Sequence, residues 1–185
     1  MRHFIEAGLA RGLLALVALA SVGVLAPPAA GQESGGDGIA PFVGTWRYAG
    51  SHEHGTRIIH RAVDHTVEPM NFITRGFAAG RLRDKNQLVR RIDISNPNGN
   101  YRVTFDGNRT YTTPPNEWRN HTFDGERVRV LIRRRGDALV QLFRTDSGNR
   151  RNVYRITGDG RMRLEVTVQS DQLPRDMRYR LNYRQ

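Results

Sequence analysis

From Val89 to Tyr183 the chain is written in a period of two, and that period constrains the fold more than any other feature. Ile92 and Ile94 share one face, as do Tyr101, Val103 and Phe105. Val128, Val130 and Ile132 alternate with Arg127, Arg129, Leu131 and Arg133. Met162, Leu164, Val166 and Val168 alternate with Arg163, Glu165, Thr167 and Gln169, and Met177, Tyr179, Leu181 and Tyr183 with Arg178, Arg180, Asn182 and Arg184. Successive strand residues point to opposite faces, so each segment has one buried and one wet side. Asn98-Gly99, Asp106-Gly107, Asp124-Gly125, Gly136-Asp137, Ser147-Gly148 and Asp159-Gly160 fall between the segments, where hairpin turns need residues that tolerate positive φ. The pattern predicts an antiparallel meander of about 9–10 strands. Closure into an up-and-down barrel removes the exposed edges of such a meander; a two-sheet sandwich is the alternative.

Ahead of the meander lie a short strand and a helical stretch. Phe42-Val43-Gly44-Thr45-Trp46-Arg47-Tyr48 reads as a first strand, about Val43 to Ala49. From about Thr56 to Arg83 the period changes: Ile58, Ile59, Ala62, Val63, Thr66, Val67 and Met70 recur at three- and four-residue steps. Pro69 ends or kinks this helix. Asn71 can cap a second, shorter one carrying Phe72, Ile73, Phe77 and Leu82. Gly76 and Gly80, four apart, would let it lie close to a neighbour. The pair reads as a helix-turn-helix lid; a base-reading helix would be less apolar and less glycine-rich.

The first 31 residues have the layout of a secretory signal peptide. Arg2, His3 and Arg11 precede an apolar run from Leu13 to Ala26, and small residues follow to Gly31. That run is short of the roughly 20 residues a membrane span needs, although a retained anchor is the competing reading. Residues 32–40 form a polar leader, and 41–185 the domain. The expected location is periplasmic or secreted, in a bacterium. There is no cysteine, so neither disulfides nor thiolate chemistry can contribute. The formal net charge is +11, carried almost wholly by arginine spread along the strands, which implies attraction to anionic surfaces.

The order of elements, with Gly44-Thr45-Trp46 on the first strand, then the helical pair, then strands to the end, resembles the fatty-acid-binding proteins and, more broadly, the lipocalin-type (calycin) barrels. The resemblance covers about Pro41 to Gln185. It implies a mainly β fold, an up-and-down barrel with the helical lid between its first and second strands. It also implies that Gly44 and Trp46 mark one barrel end, with a late arginine, Arg178 or Arg180, stacked on Trp46. The chain departs from the fatty-acid-binding pattern in its signal peptide and in lacking an Arg-x-Tyr on the last strand; a carboxylate clamp at that strand is therefore not expected.

A barrel of this size holds either a side-chain core or one small ligand. The inward candidates for ligand contact are Tyr101, Phe105, Gln141, Phe143, Met162, Tyr179 and Tyr183, with Phe72 and Phe77 at the entrance. Gln141 and Arg144 lie on opposite faces of one strand, so one of them points in.

Catalytic signals are weak. His52 and His54 would share a face on a strand, and His60 lies a helical turn from Asp64, but no tight set supplies the three or four ligands that zinc needs. No Gly-x-Ser-x-Gly turn or phosphate-cradling loop is present. The chain therefore reads as a non-enzyme without metal or cofactor. The expected function is an exported, monomeric binding protein for an apolar or amphipathic, lipid-like molecule, with an anionic membrane surface as a further partner and no nucleic acid. The alternative is a solid barrel whose arginine-rich outside binds a polyanion, a membrane surface or a partner protein.

Overall fold

The computed structural model describes residues 38–185 apart from Asp124. The expected signal peptide, and the leader up to residue 37, lie outside the described residues. A 3-10 turn at Ala40–Phe42 leads into β1 (Gly44–Tyr48), followed by α1 (His52–Val67) and α2 (Phe72–Lys85). The remaining strands are β2 (Arg91–Ser95), β3 (Tyr101–Phe105), β4 (Arg109–Thr113), β5 (Trp118–Phe123), β6 (Glu126–Arg135), β7 (Ala138–Thr145), β8 (Gly148–Ile156), β9 (Met162–Gln169) and β10 (Met177–Arg184). All ten belong to one antiparallel sheet, so the chain is a barrel and not a sandwich. The spatial order is β4-β3-β2-β1-β10-β9-β8-β7-β6-β5. The β1–β10 ladder, Arg47 opposite Arg184 and Tyr48 opposite Tyr183, rolls the sheet up.

Closure is nearly complete. The edges β4 and β5 share no ladder. They are joined instead through β6, whose Ile132 N–H donates to Thr113 Oγ1 at 3.3 Å and whose Ile132 carbonyl accepts from Asn116 N–H at 3.0 Å. The His121 ring, hydrogen-bonded to the Thr112 backbone, stacks edge-on to Tyr111 across the same seam.

The alternation of β10 is observed residue by residue, Met177, Tyr179, Leu181 and Tyr183 buried and the four between them exposed. At the β3–β4 turn Asp106 and Gly107 take φ of 50° and 76°, the paired positive values of a tight hairpin turn. The inward faces form one continuous core running from Phe42 and Trp46 through Ile92, Val130, Leu164 and Leu181 to Ile59 and Val63 of α1. Trp46 closes the end opposite the helices, its indole N–H donating to the Phe42 carbonyl at 2.8 Å.

Asn71 caps α2 as expected, and Ser51 caps α1 one turn ahead of its expected start near Thr56. Ser51 accepts from His54 N–H at 3.2 Å, and Asn71 accepts from Thr74 N–H at 3.0 Å. Two expectations are corrected. His52 and His54 sit in the first turn of α1, not on a strand, because the Ser51 cap starts the helix there. Gly76 and Gly80 face open space and contact no neighbour. The close approach is made by Gly55 of α1, where a Cβ would stand 2.7 Å from Leu88 and 2.9 Å from Tyr48.

Candidate functional site

Inside the barrel, apolar rings surround one polar layer. Gln141 of β7 and Asn152 of β8 are registered partners, and both are fully buried. Tyr154 donates its hydroxyl to Gln141 Oε1 at 2.7 Å. Asn152 Nδ2 lies 3.3 Å from both Gln141 Oε1 and the Tyr154 hydroxyl. Two residues further along β8, Arg150 turns its half-buried guanidinium into the barrel. Its Nε donates to Asn152 Oδ1 at 2.9 Å, and its terminal nitrogens to Asn86 Oδ1 at 3.3 Å and the Tyr179 hydroxyl at 3.4 Å. Every partner is neutral; no described carboxylate pairs with it. Asn86, at the end of α2, also donates Nδ2 to the Leu82 carbonyl at 2.8 Å, so this layer reaches up to the lid. Gln141 Nε2 is buried and has no partner among the described residues.

The layer separates two kinds of interior. Trp46, Tyr154, Met162, Leu164 and Tyr183 are 0–2% exposed, a sealed floor. Around the helix end, Phe105, Tyr111, Val128, Phe143 and Tyr179 retain 4–9% exposure. Tyr111 stands edge-on to Phe105, His121 and Phe143, an aromatic collar with centroid distances of 5.1–6.0 Å. Burial raises the Tyr154 and Tyr183 hydroxyls well above the usual phenol range, so both stay protonated donors; Tyr183 donates to the Val89 carbonyl at 2.8 Å. Burial also holds His121 below the usual histidine range, against the Thr112 hydrogen bond that favours its charged form.

The seven inward candidates, Tyr101, Phe105, Gln141, Phe143, Met162, Tyr179 and Tyr183, are all buried on the inner face. They do not form a single group. Phe105, Phe143 and Tyr179 line the upper part, Gln141 belongs to the polar layer, Met162 and Tyr183 to the floor, and Tyr101 lies against Gly38 at the closed end. Of the pair on β7, Gln141 points in and Arg144 out.

Two assignments change. Phe72 and Phe77 do not line the entrance. They are 89% and 71% exposed on the outer edge of α2, a helix of which only Ala79 is buried. A groove of about 870 Å³ lies between α1 and α2, bordered by Phe72, Ile73 and Ala79. Arg180 does not stack on Trp46, since it lies on the outer face of β10, paired with Glu165 at 3.4 Å. The arginine at the closed end is Arg134, whose guanidinium lies 5.3 Å from the Phe42 ring centroid and donates to the Gly38 carbonyl at 2.9 Å.

Arg150, Asn152, Tyr154 and Asn86 are absent from the sequence reading. Their signal is alternation without hydrophobicity: Arg150, Asn152 and Tyr154 are two apart, but a search for apolar period-two sets passes over a strand whose inner face is polar.

No protein-family profile and no curated protein matches the chain. Solved structures do resemble it in fold. A secretary abundant heat soluble (SAHS) protein from Ramazzottius varieornatus superposes with a TM-score of 0.51 at 13% identity, covering 78% of this chain and 95% of that one. The wild-type fluorescent protein UnaG gives 0.51 at 18% identity, covering 80% and 98%. Fatty-acid-binding protein 1 of Echinococcus granulosus gives 0.47 at 17% identity, covering 78% and 97%. The class defined is a fold: a ten-stranded antiparallel barrel with two helices between its first and second strands.

Proposed function

We propose that the barrel binds one small amphipathic, lipid-like molecule, its tail in the aromatic collar and an acidic head on Arg150. The observation that carries this reading is Arg150 itself, a guanidinium turned into an apolar interior with only Asn86, Asn152 and Tyr179 as partners among the described residues. A buried charge is costly unless it is paired, and an acidic head entering from the helix end meets it before the sealed floor. Gln141 and Tyr154 fix the polar layer below. No residue is assigned a catalytic role, and among the described residues no three metal-ligating groups converge.

Entry is at the lid, whose outer edge, Phe72, Ile73 and Phe77, is the apolar element that meets a membrane. Export to the periplasm or beyond, and action as a monomer, belong to the same reading. Titration with a fluorescent fatty acid tests it. Saturable binding that weakens at least tenfold in Arg150→Gln, with no loss for the corresponding alcohol, is the expected result. Equal binding of acid and alcohol by both proteins rejects the acidic head, and no binding of either rejects carriage.

A further inference from the structure

The outer wall carries a second arrangement of charge that the interior does not explain. Asn120 of β5 is registered opposite Arg129 of β6, Arg129 opposite Arg144 of β7, and Arg144 opposite Asn149 of β8. All four are exposed. They make an unbroken row, Asn-Arg-Arg-Asn, across four strands spaced about 4.8 Å apart. Like charges directly opposite one another on a sheet are destabilising, yet neither arginine has an ion pair or a hydrogen bond among the described residues. Both lean instead on one ring: the guanidinium carbon of Arg144 lies 4.5 Å, and that of Arg129 5.4 Å, from the Trp118 centroid. Arg144 reaches across β6 to do so. Stacking on an aromatic face leaves the edge of a guanidinium, with its forked N–H donors, open to solvent. Arg127 and Arg151, also exposed and without an ion pair among the described residues, flank the row.

We infer that this row is a docking site for a linear acidic polysaccharide, with uronate carboxylates on Arg129 and Arg144 and sugar hydroxyls on Asn120 and Asn149. The strand spacing is close to the repeat of a pyranose along an extended chain, so successive sugars fall on successive strands. Guanidinium forks match carboxylates bidentately, and side-chain amides serve hydroxyls as both donor and acceptor. Single-stranded nucleic acid fits less well, because it needs free aromatic faces for its bases and the Trp118 ring already carries two guanidiniums. An anionic bilayer fits less well too. The row lies on the convex wall of the barrel, which a flat bilayer would touch along only a few residues.

The test is binding of the full chain to fluorescently labelled alginate in low salt, with dextran, oligo-dT and phosphatidylglycerol vesicles as comparison arms. Alginate binding that falls steeply with added salt, at least tenfold weaker in the Arg129→Gln/Arg144→Gln protein and intermediate in Trp118→Leu, is expected. Arg163→Gln/Arg184→Gln, which removes two exposed arginines elsewhere on the wall, should bind as wild type. Unchanged thermal melting of each variant separates lost binding from lost fold. Equal weakening by both double variants would show only diffuse charge attraction and overturn the site. Oligo-dT or vesicles bound through Arg129 and Arg144 in preference to alginate would overturn the choice of partner.

Discussion

At the scale of single residues the interior is governed by where protons and donors can go. Tyr154 is fully buried and supplies the shortest hydrogen bond in the polar layer. Tyr154→Phe leaves Gln141 Oε1 on the longer Asn152 contact alone and should cost about 1–3 kcal/mol in chemical denaturation. The raised hydroxyls of Tyr154 and Tyr183 stabilise the fold fully below the ordinary phenol value of 10.0 and lose that contribution as pH climbs beyond it. Tyrosinate absorbance should therefore show these two ionising only as the protein unfolds. His121 works from the acid side. Burial keeps it neutral in the native state, so the unfolded chain binds the proton more readily, and stability is lost as pH falls through and below 6.5. The urea midpoint should drop between pH 7 and 5, and drop less in His121→Gln. Much of this scale was invisible beforehand. Tyr183 was legible because strand alternation places it, and Gln141 only as one of a pair with Arg144; Tyr154 was not, because it stands on a strand whose inner face is polar. The guanidinium beneath the lid was not, since an arginine in an arginine-rich strand looks like one more solvated charge until the register is known.

At the scale of elements, the two helices differ in what holds them. α1 buries Gly55, Ile59, Val63, Thr66 and Val67, whereas α2 buries Ala79 alone. Gly55→Val drives new atoms into Leu88 and Tyr48 and should destabilise by about 1–3 kcal/mol, as overpacking does. Gly76→Ala meets nothing and should stabilise by about 0.5–1 kcal/mol, the ordinary gain for a helix interior. The two melting temperatures moving in opposite directions would confirm which helix is anchored. The cap at Asn71 and the stop before Pro69 were readable because capping is local chemistry, whereas the Ser51 cap, ahead of the expected start near Thr56, was not read. Which glycine permits close packing was not, because spacing of four says nothing about whether a neighbour lies on that side. For the same reason Phe72 and Phe77 could be placed on a helix but not on its correct face.

At the scale of the whole molecule, the strand order was legible almost completely, because hairpins joined by short turns leave few alternatives. Closure was expected too, from the cost of exposed edges and from the resemblance rather than from any local signal that β1 will find β10. The seam between β4 and β5 is the weakest part of the wall, held through Ile132 rather than by a ladder. Thr113→Val removes one of its two backbone links, and amide exchange should accelerate in β4 and β5 while β8 and β9 stay protected. The β1–β10 ladder has a different consequence. Every other ladder joins strands that follow one another in sequence, whereas this one spans almost the full domain, with Tyr48 meeting Tyr183. Contacts between distant residues demand the most chain entropy, so they slow the search for the native state. Closing the ring is thus the slow event, and a Tyr48→Ala protein should fold more slowly while coming apart at nearly the normal rate.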